Sequence, residues 1–257
     1  MTSAFSTAGP NQEFKDELDR MIDEQLCLRP APPRSRAPSV NIDMGIGLDA
    51  DILKLDRDAV LESVRILRTG GPIDWQLPTP CRDWTVRHLV EHMAAQHRGF
   101  TAAARGESSD LAAWQPVRVG GDPLLRYRES VTAVLRAFAE PGLLTREFAL
   151  PEITSERTFP GSVAVGFHLL DYVVHSWDLA RALGRPTRLS PRCVESALAV
   201  ARLIPDDERR RSPDAPFRTS LQPATRAGTL DLLLYATGRS PDWSAADSTS
   251  SQGWLLR

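Results

Sequence analysis

FHLLDYVVHSWDLARALG, residues 167–184, joins a long apolar run to two histidines and two aspartates, and ends on a glycine with proline two residues beyond. Apolar side chains recur at three- and four-residue intervals, which is the period of an α-helix, and Gly184 at C′ with Pro186 beyond it supplies the stop. On such a helix His168, Asp171 and His175 fall within about 60° of one another, at roughly 100° per residue. Imidazole and carboxylate are the donors that hold a divalent metal. The plainer reading of Asp171 and His175, four residues apart, is a helical ion pair worth a few tenths of a kcal/mol on an exposed face. Their neighbours Leu169, Leu170, Val173 and Val174 are apolar, and a pair buried among them needs a strong partner. His168 is either a fourth ligand or a helix-face residue one turn too early. Asp178 can pair with Arg181 or orient a ligating histidine.

Working outward, the same periodicity predicts further helices. Leu48 to Arg68 carries Ile52, Leu53, Leu55, Val60, Leu61, Val64 and Leu67 between charges and ends at Thr69-Gly70-Gly71-Pro72. Trp84 to Arg105, with Asp83 as its expected N-cap, holds His88, His92 and His97 beside an apolar stripe of Val86, Leu89, Val90, Met93 and Phe100. His97 lies inside that stripe and reads as a hydrogen-bonded packing residue. His92 lies on its edge, where a ligand can look into a cavity between helices, and His88 lies further out, solvated or orienting a ligand. Asp122-Pro123 starts a third helix, with core positions Leu124, Leu125, Val131, Val134, Leu135 and Phe138, and Pro141-Gly142 stops it. Phe148 to Phe159 is a hairpin or irregular crossover within a long connection. The quoted helix then starts near Gly161. A fifth runs from Pro191 to Ile204 behind Ser190, a short strand is expected at Phe217–Leu221, and a last helix at Thr225–Thr237.

The class is therefore mainly α: a four-helix bundle with one long crossover, short β elements and extra C-terminal helices, spanning residues 47–243. Residues 1–46 differ in character. A short amphipathic helix over 11–28 precedes four prolines between Pro30 and Pro38, which favour an extended linker. Residues 244–257 form a loose tail rich in small polar side chains. With 33 acidic and 31 basic residues the net charge is −2, so the sequence gives no electrostatic case for nucleic acid or an anionic membrane as partner. Cys27, Cys81 and Cys193 form no CxxC pair, no leader pattern opens the chain, and a reducing cytoplasm is the expected setting. GxSxG, Walker A and GxGxxG patterns are absent, and a Cys81 nucleophile beside the histidine helix is a minor alternative.

Three blocks resemble a known family. LPTPCRDWTVRHLVEHM (Leu77–Met93), DYVVHSWDLARALGR (Asp171–Arg185) and ATGRSPDW (Ala236–Trp243), in this order, are similar to the DinB-like helical bundles of the actinobacterial branch named for the metal-binding domain of mycothiol-dependent maleylpyruvate isomerase. The resemblance implies a divalent metal held by His92, Asp171 and His175. It places Asp where the isomerase has Glu, and the isomerase's separate carboxy-terminal domain has no clear equivalent here. The expected metal is zinc, with iron, nickel or manganese also suited to such donors.

The expectation that follows is a metal-dependent enzyme of thiol-transferase or isomerase type, with mycothiol as co-substrate, a small-molecule substrate and a homodimeric state. Arg82 or Arg87 would bind a substrate carboxylate. The alternatives are a metal- or ligand-binding protein without catalysis, whose N-terminal arm recruits a partner, and a metal-activated hydrolase.

Overall fold

The computed structural model describes residues 51–107, 110–116, 121–212 and 217–245. The expected N-terminal arm and most of the C-terminal tail lie outside them. Six α-helices follow in order: α1 (Ile52–Arg68), α2 (Val86–Ala104), α3 (Pro123–Phe138), α4 (Gly161–Leu183), α5 (Pro191–Ala201) and α6 (Thr229–Ala236). The first four make the bundle. α1 lies along α4 and α2 along α3, while α2 also touches α4 and α1 touches α3. α5 covers α4 and α1, and α6 packs on α5.

α4 is the central element, buried along most of its 23 residues, roughly 34 Å of helix. Its start and stop follow the sequence: the helix opens at Gly161, and Gly184 takes the left-handed conformation (φ +62°) that closes it. Gly161 is needed for space rather than for its φ, because a Cβ there would lie 2.1 Å from the Leu143 carbonyl oxygen. Arg185, just past the end, turns back to donate to the carbonyls of Ile66, Leu67 and Gly71, which closes the C-terminal end of α1. The long connection from α3 to α4 contains the antiparallel hairpin expected for it, β1 (Glu147–Ala149) paired with β2 (Thr158–Pro160), Phe148 facing Phe159 across the ladder.

Several local expectations are corrected. α2 starts later than Trp84, because Asp83 sits at φ +65° in a turn and the cap passes to Thr85, whose hydroxyl accepts from the His88 amide. Pro78 and Thr85 form an isolated bridge that holds the preceding loop against this cap. Val131, Val134, Leu135 and Phe138 of α3 are buried as expected, but Leu125 is 48% exposed and the fully buried Tyr127 takes its place in the core. No strand forms at Phe217–Leu221; the segment is irregular, tied to α6 through the Leu221 amide donating to the Tyr235 carbonyl. α5 stops at Ala201 and α6 begins only at Thr229. Glu62 and Arg65, charges that fall between the apolar positions of α1, are buried. They pair at 2.6 Å, and each also bonds the backbone at 186–188 that crosses over them.

Below the middle of the bundle lies a buried polar layer. His168 Nδ1 meets Asp56 Oδ1 at 2.6 Å, with both side chains at most 1% exposed. His97 bonds Ser130 through Nδ1 at 2.9 Å and stacks on Tyr172, ring centroids 4.4 Å apart and 10° from parallel. The Tyr127 and Ser63 hydroxyls join at 2.6 Å, and Tyr172 donates to the Met93 carbonyl. All four bundle helices contribute to this layer. His97 is thus the packing residue the stripe predicted, and His168 belongs to the core.

Candidate metal centre

Directly above this layer α2 and α4 face each other. His92 from α2 and Asp171 and His175 from α4 present one donor atom each, all within 4.8 Å of one another. Their helices explain the meeting: Asp171 and His175 are one turn apart on α4, and His92 stands at the edge of the apolar stripe of α2, as the sequence placed it. His175 Nε2 lies 3.2 Å from Asp171 Oδ1, and the His92 ring stands edge-on to the His175 ring at 5.3 Å. Trp84 also packs against His92, ring centroids 4.8 Å apart and tilted by 53°. Asp171 Oδ2 is buried without a hydrogen-bond partner.

Behind His175 a second set of groups closes the cluster. Asp178 Oδ2 meets His175 Nδ1 at 2.9 Å. The same oxygen receives the Cys81 thiol at 3.3 Å and the Arg239 guanidinium at 3.2 Å. Asp178 therefore does not pair with Arg181, which instead reaches the Trp243 carbonyl. Cys81 Sγ is 4.0 Å from His175 Nδ1 and 3.6 Å from Arg239. Asp178 and Arg239 are almost wholly buried, 0% and 7% exposed, so the guanidinium supplies the charge the carboxylate needs. Arg239 was not singled out from the sequence; the only signal for it was its place inside ATGRSPDW.

The electrostatics divide the three inner groups. Burial pushes the His92 imidazole down to about 4, a fall that the Asp171 charge opposes and those of His175 and Arg239 assist. Burial would raise Asp171, yet His175 beside it, with His92 and His168, holds the carboxyl at about 2. Burial would likewise lower His175, but carboxylates on both ring nitrogens keep it protonated well above the usual histidine range. A lone-pair nitrogen, an ionised carboxylate and an imidazolium with an acceptor at each end are thus gathered around one point. His92, Asp171 and His175 are the residues that would hold a divalent cation, with Asp178 behind His175.

The remaining sequence candidates lie elsewhere. His88 accepts the Thr85 backbone amide through Nδ1 and completes the α2 capping box, so it is an end group of the helix. His168 is bound to Asp56 in the layer below and is not one of the grouped donors. Arg87 pairs with Glu91 at 3.5 Å and lies over the Trp75 ring, and Arg82 is exposed on the loop before α2. Neither arginine joins the cluster. Among the described residues no helix is long and apolar enough to cross a membrane.

The family model described as "Mycothiol maleylpyruvate isomerase N-terminal domain" matches residues 57–180, which include His92, Asp171, His175 and Asp178. Two uncharacterized proteins from two strains of Mycobacterium tuberculosis are each 34% identical over 185 residues, covering 71% of this chain and 91% of theirs. No solved structure matches.

Proposed function

The chain belongs to the mycothiol maleylpyruvate isomerase N-terminal domain family, and from that premise we propose that it binds a divalent metal through His92, Asp171 and His175 and uses it in a mycothiol-dependent transfer or isomerisation of a small molecule. The observation that carries the reading is the convergence of three donors from two helices within 4.8 Å, one of them a carboxylate with one oxygen buried and unpartnered. Two nitrogens and one carboxylate leave coordination positions open, as catalytic rather than structural zinc sites do. The ion would supply a positive charge that lowers the pKa of a bound thiol or water and stabilises negative charge on the substrate.

The residues of the chain prepare that role. Asp178 accepts the His175 Nδ1–H and so fixes which nitrogen faces Asp171. Arg239 neutralises Asp178 and keeps it ionised in a buried place; burial would raise this carboxyl, and Arg239 with His175 lowers it. Trp84 packs against the His92 ring. Asp171, one methylene shorter than the Glu of the isomerase, would hold the cation on a shorter arm. The reducing cytoplasm, where a low-molecular-weight thiol stays reduced, is the proposed setting.

The test is metal content and thermal stability of the native protein beside His92→Ala and His175→Ala. With zinc at about a hundred times its Kd, the native protein gains about 2.7 kcal/mol of stability, and each variant loses most of that gain. Full metal occupancy surviving both substitutions would discard the site.

A further inference from the structure

His175 has two ring nitrogens, and a different group of donors stands before each. Nε2 faces Asp171 and belongs with His92 to the set described above. Nδ1 faces Asp178 Oδ2 at 2.9 Å and Cys81 Sγ at 4.0 Å, and those two partners lie 3.3 Å apart. Cys81, His175 and Asp178 are thus a second group whose donor atoms all lie within 4.8 Å of one another. The two groups share only the imidazole.

Three features take this second group beyond a hydrogen-bonded support for His175. The first is its spacing. Bonds of about 2.3 Å from zinc to sulfur and about 2.0 Å to nitrogen and oxygen, at tetrahedral angles, set such donors about 3.3–3.6 Å apart. The three edges of 2.9, 3.3 and 4.0 Å bracket that range, so small side-chain shifts bring all three donors onto one cation. The second is a lone pair left over. Asp178 is 0% exposed, its contacts with Arg239, Cys81 and His175 all fall on Oδ2, and Oδ1 is buried without a hydrogen-bond partner. A buried carboxylate oxygen that nothing meets is costly, and this carboxylate can serve Arg239 and a cation with different oxygens. The third is access. Cys81 is partly exposed, on the loop before α2 where Arg82 and Asp83 are exposed, whereas Cys193 is buried and donates to the Leu55 carbonyl. Arg239, 3.6 Å from Cys81 Sγ, opposes a cation here, but a Cys81 thiolate and the Asp178 carboxylate together outweigh its single charge.

We propose that Cys81, His175 Nδ1 and Asp178 form a second cation site, for a thiophilic metal, on the opposite edge of the imidazole from His92 and Asp171. Thiolate sulfur favours zinc and similarly soft ions over magnesium or calcium, which take oxygen donors. On binding, the Cys81 thiol proton and the His175 Nδ1 proton pass to water, sulfur and nitrogen keep their electron pairs, and no oxidant or reductant is needed. With both positions filled, His175 bridges two cations as an imidazolate. The site goes beyond the function proposed above, since it requires neither a substrate nor His92.

Cobalt(II) tests it, because a cobalt–thiolate bond adds a near-ultraviolet charge-transfer band that imidazole and carboxylate ligands do not give. The ion is titrated into the full chain, stripped of metal by a chelator and kept reduced, and bound cobalt and the band are read in native protein, Cys81→Ser, Cys81→Ala and His92→Ala. The expected result is about two equivalents with the band in native protein, about one equivalent without it in either Cys81 variant, and a band that persists in His92→Ala. One equivalent carrying the band, lost in both Cys81 variants and kept in His92→Ala, would support this site and overturn the ligand set proposed above. A band of equal strength in native and Cys81→Ser protein would overturn the site. So would a band lost in His92→Ala, since a single shared cation would then account for it. Cobalt bound without the band in native protein would overturn the site and leave the reading above standing, and no bound cobalt would overturn both.

Discussion

Removing one member of the buried Asp56–His168 pair should be among the most damaging single changes in the bundle. The two groups meet at 2.6 Å with at most 1% exposure, so neither can turn to solvent when its partner is lost. Replacing His168 by Leu leaves both Asp56 oxygens buried without the imidazole, and Asp56 Oδ2 already lacks a partner. Burial raises the Asp56 carboxyl and His168 is what lowers it, so the variant must either protonate Asp56 or let water in. Breaking a buried pair from one side costs about 3–5 kcal/mol, about a fifth or more of the roughly 5–15 kcal/mol that a domain has in hand. Asp56→Ala should fall at the lower end, because a lone imidazole costs less to bury than a lone carboxylate. Asp56→Asn, which can still accept from Nδ1, should cost about 1–2 kcal/mol. The double change Asp56→Leu with His168→Phe should return close to native stability, since apolar groups of similar volume replace the pair at little net cost. Urea denaturation at pH 7, with midpoints and slopes compared, reads all four. If His168→Leu costs less than about 1 kcal/mol with an unchanged slope, the layer is not a rigid determinant of the bundle and the reasoning fails.

Three further outcomes follow from particular contacts. His97 is held neutral by burial, helped by the charges of His168 and Arg98, well below the ordinary histidine range. A depressed pKa makes its contribution complete above about pH 6.5 and progressively lost as pH falls towards the folded value, at up to about 1.4 kcal/mol per pH unit. His97→Phe, which keeps the stack on Tyr172, should flatten the loss of unfolding free energy between pH 6.5 and 5, and an unchanged slope would contradict it. Asp178→Asn keeps the shape but weakens the acceptor on His175 Nδ1, so zinc affinity measured by competition with a chelator should drop about 10–100-fold. Gly99→Ala should destabilise the fold by about 1–3 kcal/mol in thermal or urea melts, because the added Cβ would lie 2.2 Å from the Trp114 ring, which packs flat on that glycine.

The helices were legible because their signals are local. The stop at Gly184 and Pro186, the Asp122-Pro123 start and the apolar spacing of α1 and α2 need no knowledge of the rest of the chain. The approach of His92 to Asp171 and His175 was legible in part: helical spacing aligns the two α4 residues, and an edge position marks His92, but only the resemblance joined the two helices. What stayed hidden was set by distant covering. Glu62 and Arg65 are charges between the apolar positions of α1, and their burial depends on the backbone at 186–188 that crosses them. Asp56 sits on a charged-looking turn of α1 and gains its meaning from His168, 112 residues away. His88, further out from the stripe, reads as solvated or orienting a ligand, yet its position three residues after Thr85 makes it part of the cap. The sequence signal for that was present in Thr85, and the neighbouring Asp83 obscured it.

Arg239 was the least legible of all, and it shows why three separated blocks of this chain belong together. Cys81, Trp84 and His92 come from the first, Asp171, His175 and Asp178 from the second, and Arg239 from the third. The third enters only because the second buries an aspartate. Asp178 must be ionised to orient His175, and because the His175 imidazolium is shared with Asp171, an ionised carboxylate at 0% exposure calls for a further countercharge. A guanidinium arriving from beyond α6 meets that need from outside the bundle, anchored through its other nitrogen to the Thr237 carbonyl and lying 5.5 Å from the Phe217 ring. The extra C-terminal helices are thus part of the site's electrostatics. The segment that follows α6 carries the guanidinium that bonds Asp178 and helps keep it an acceptor for His175.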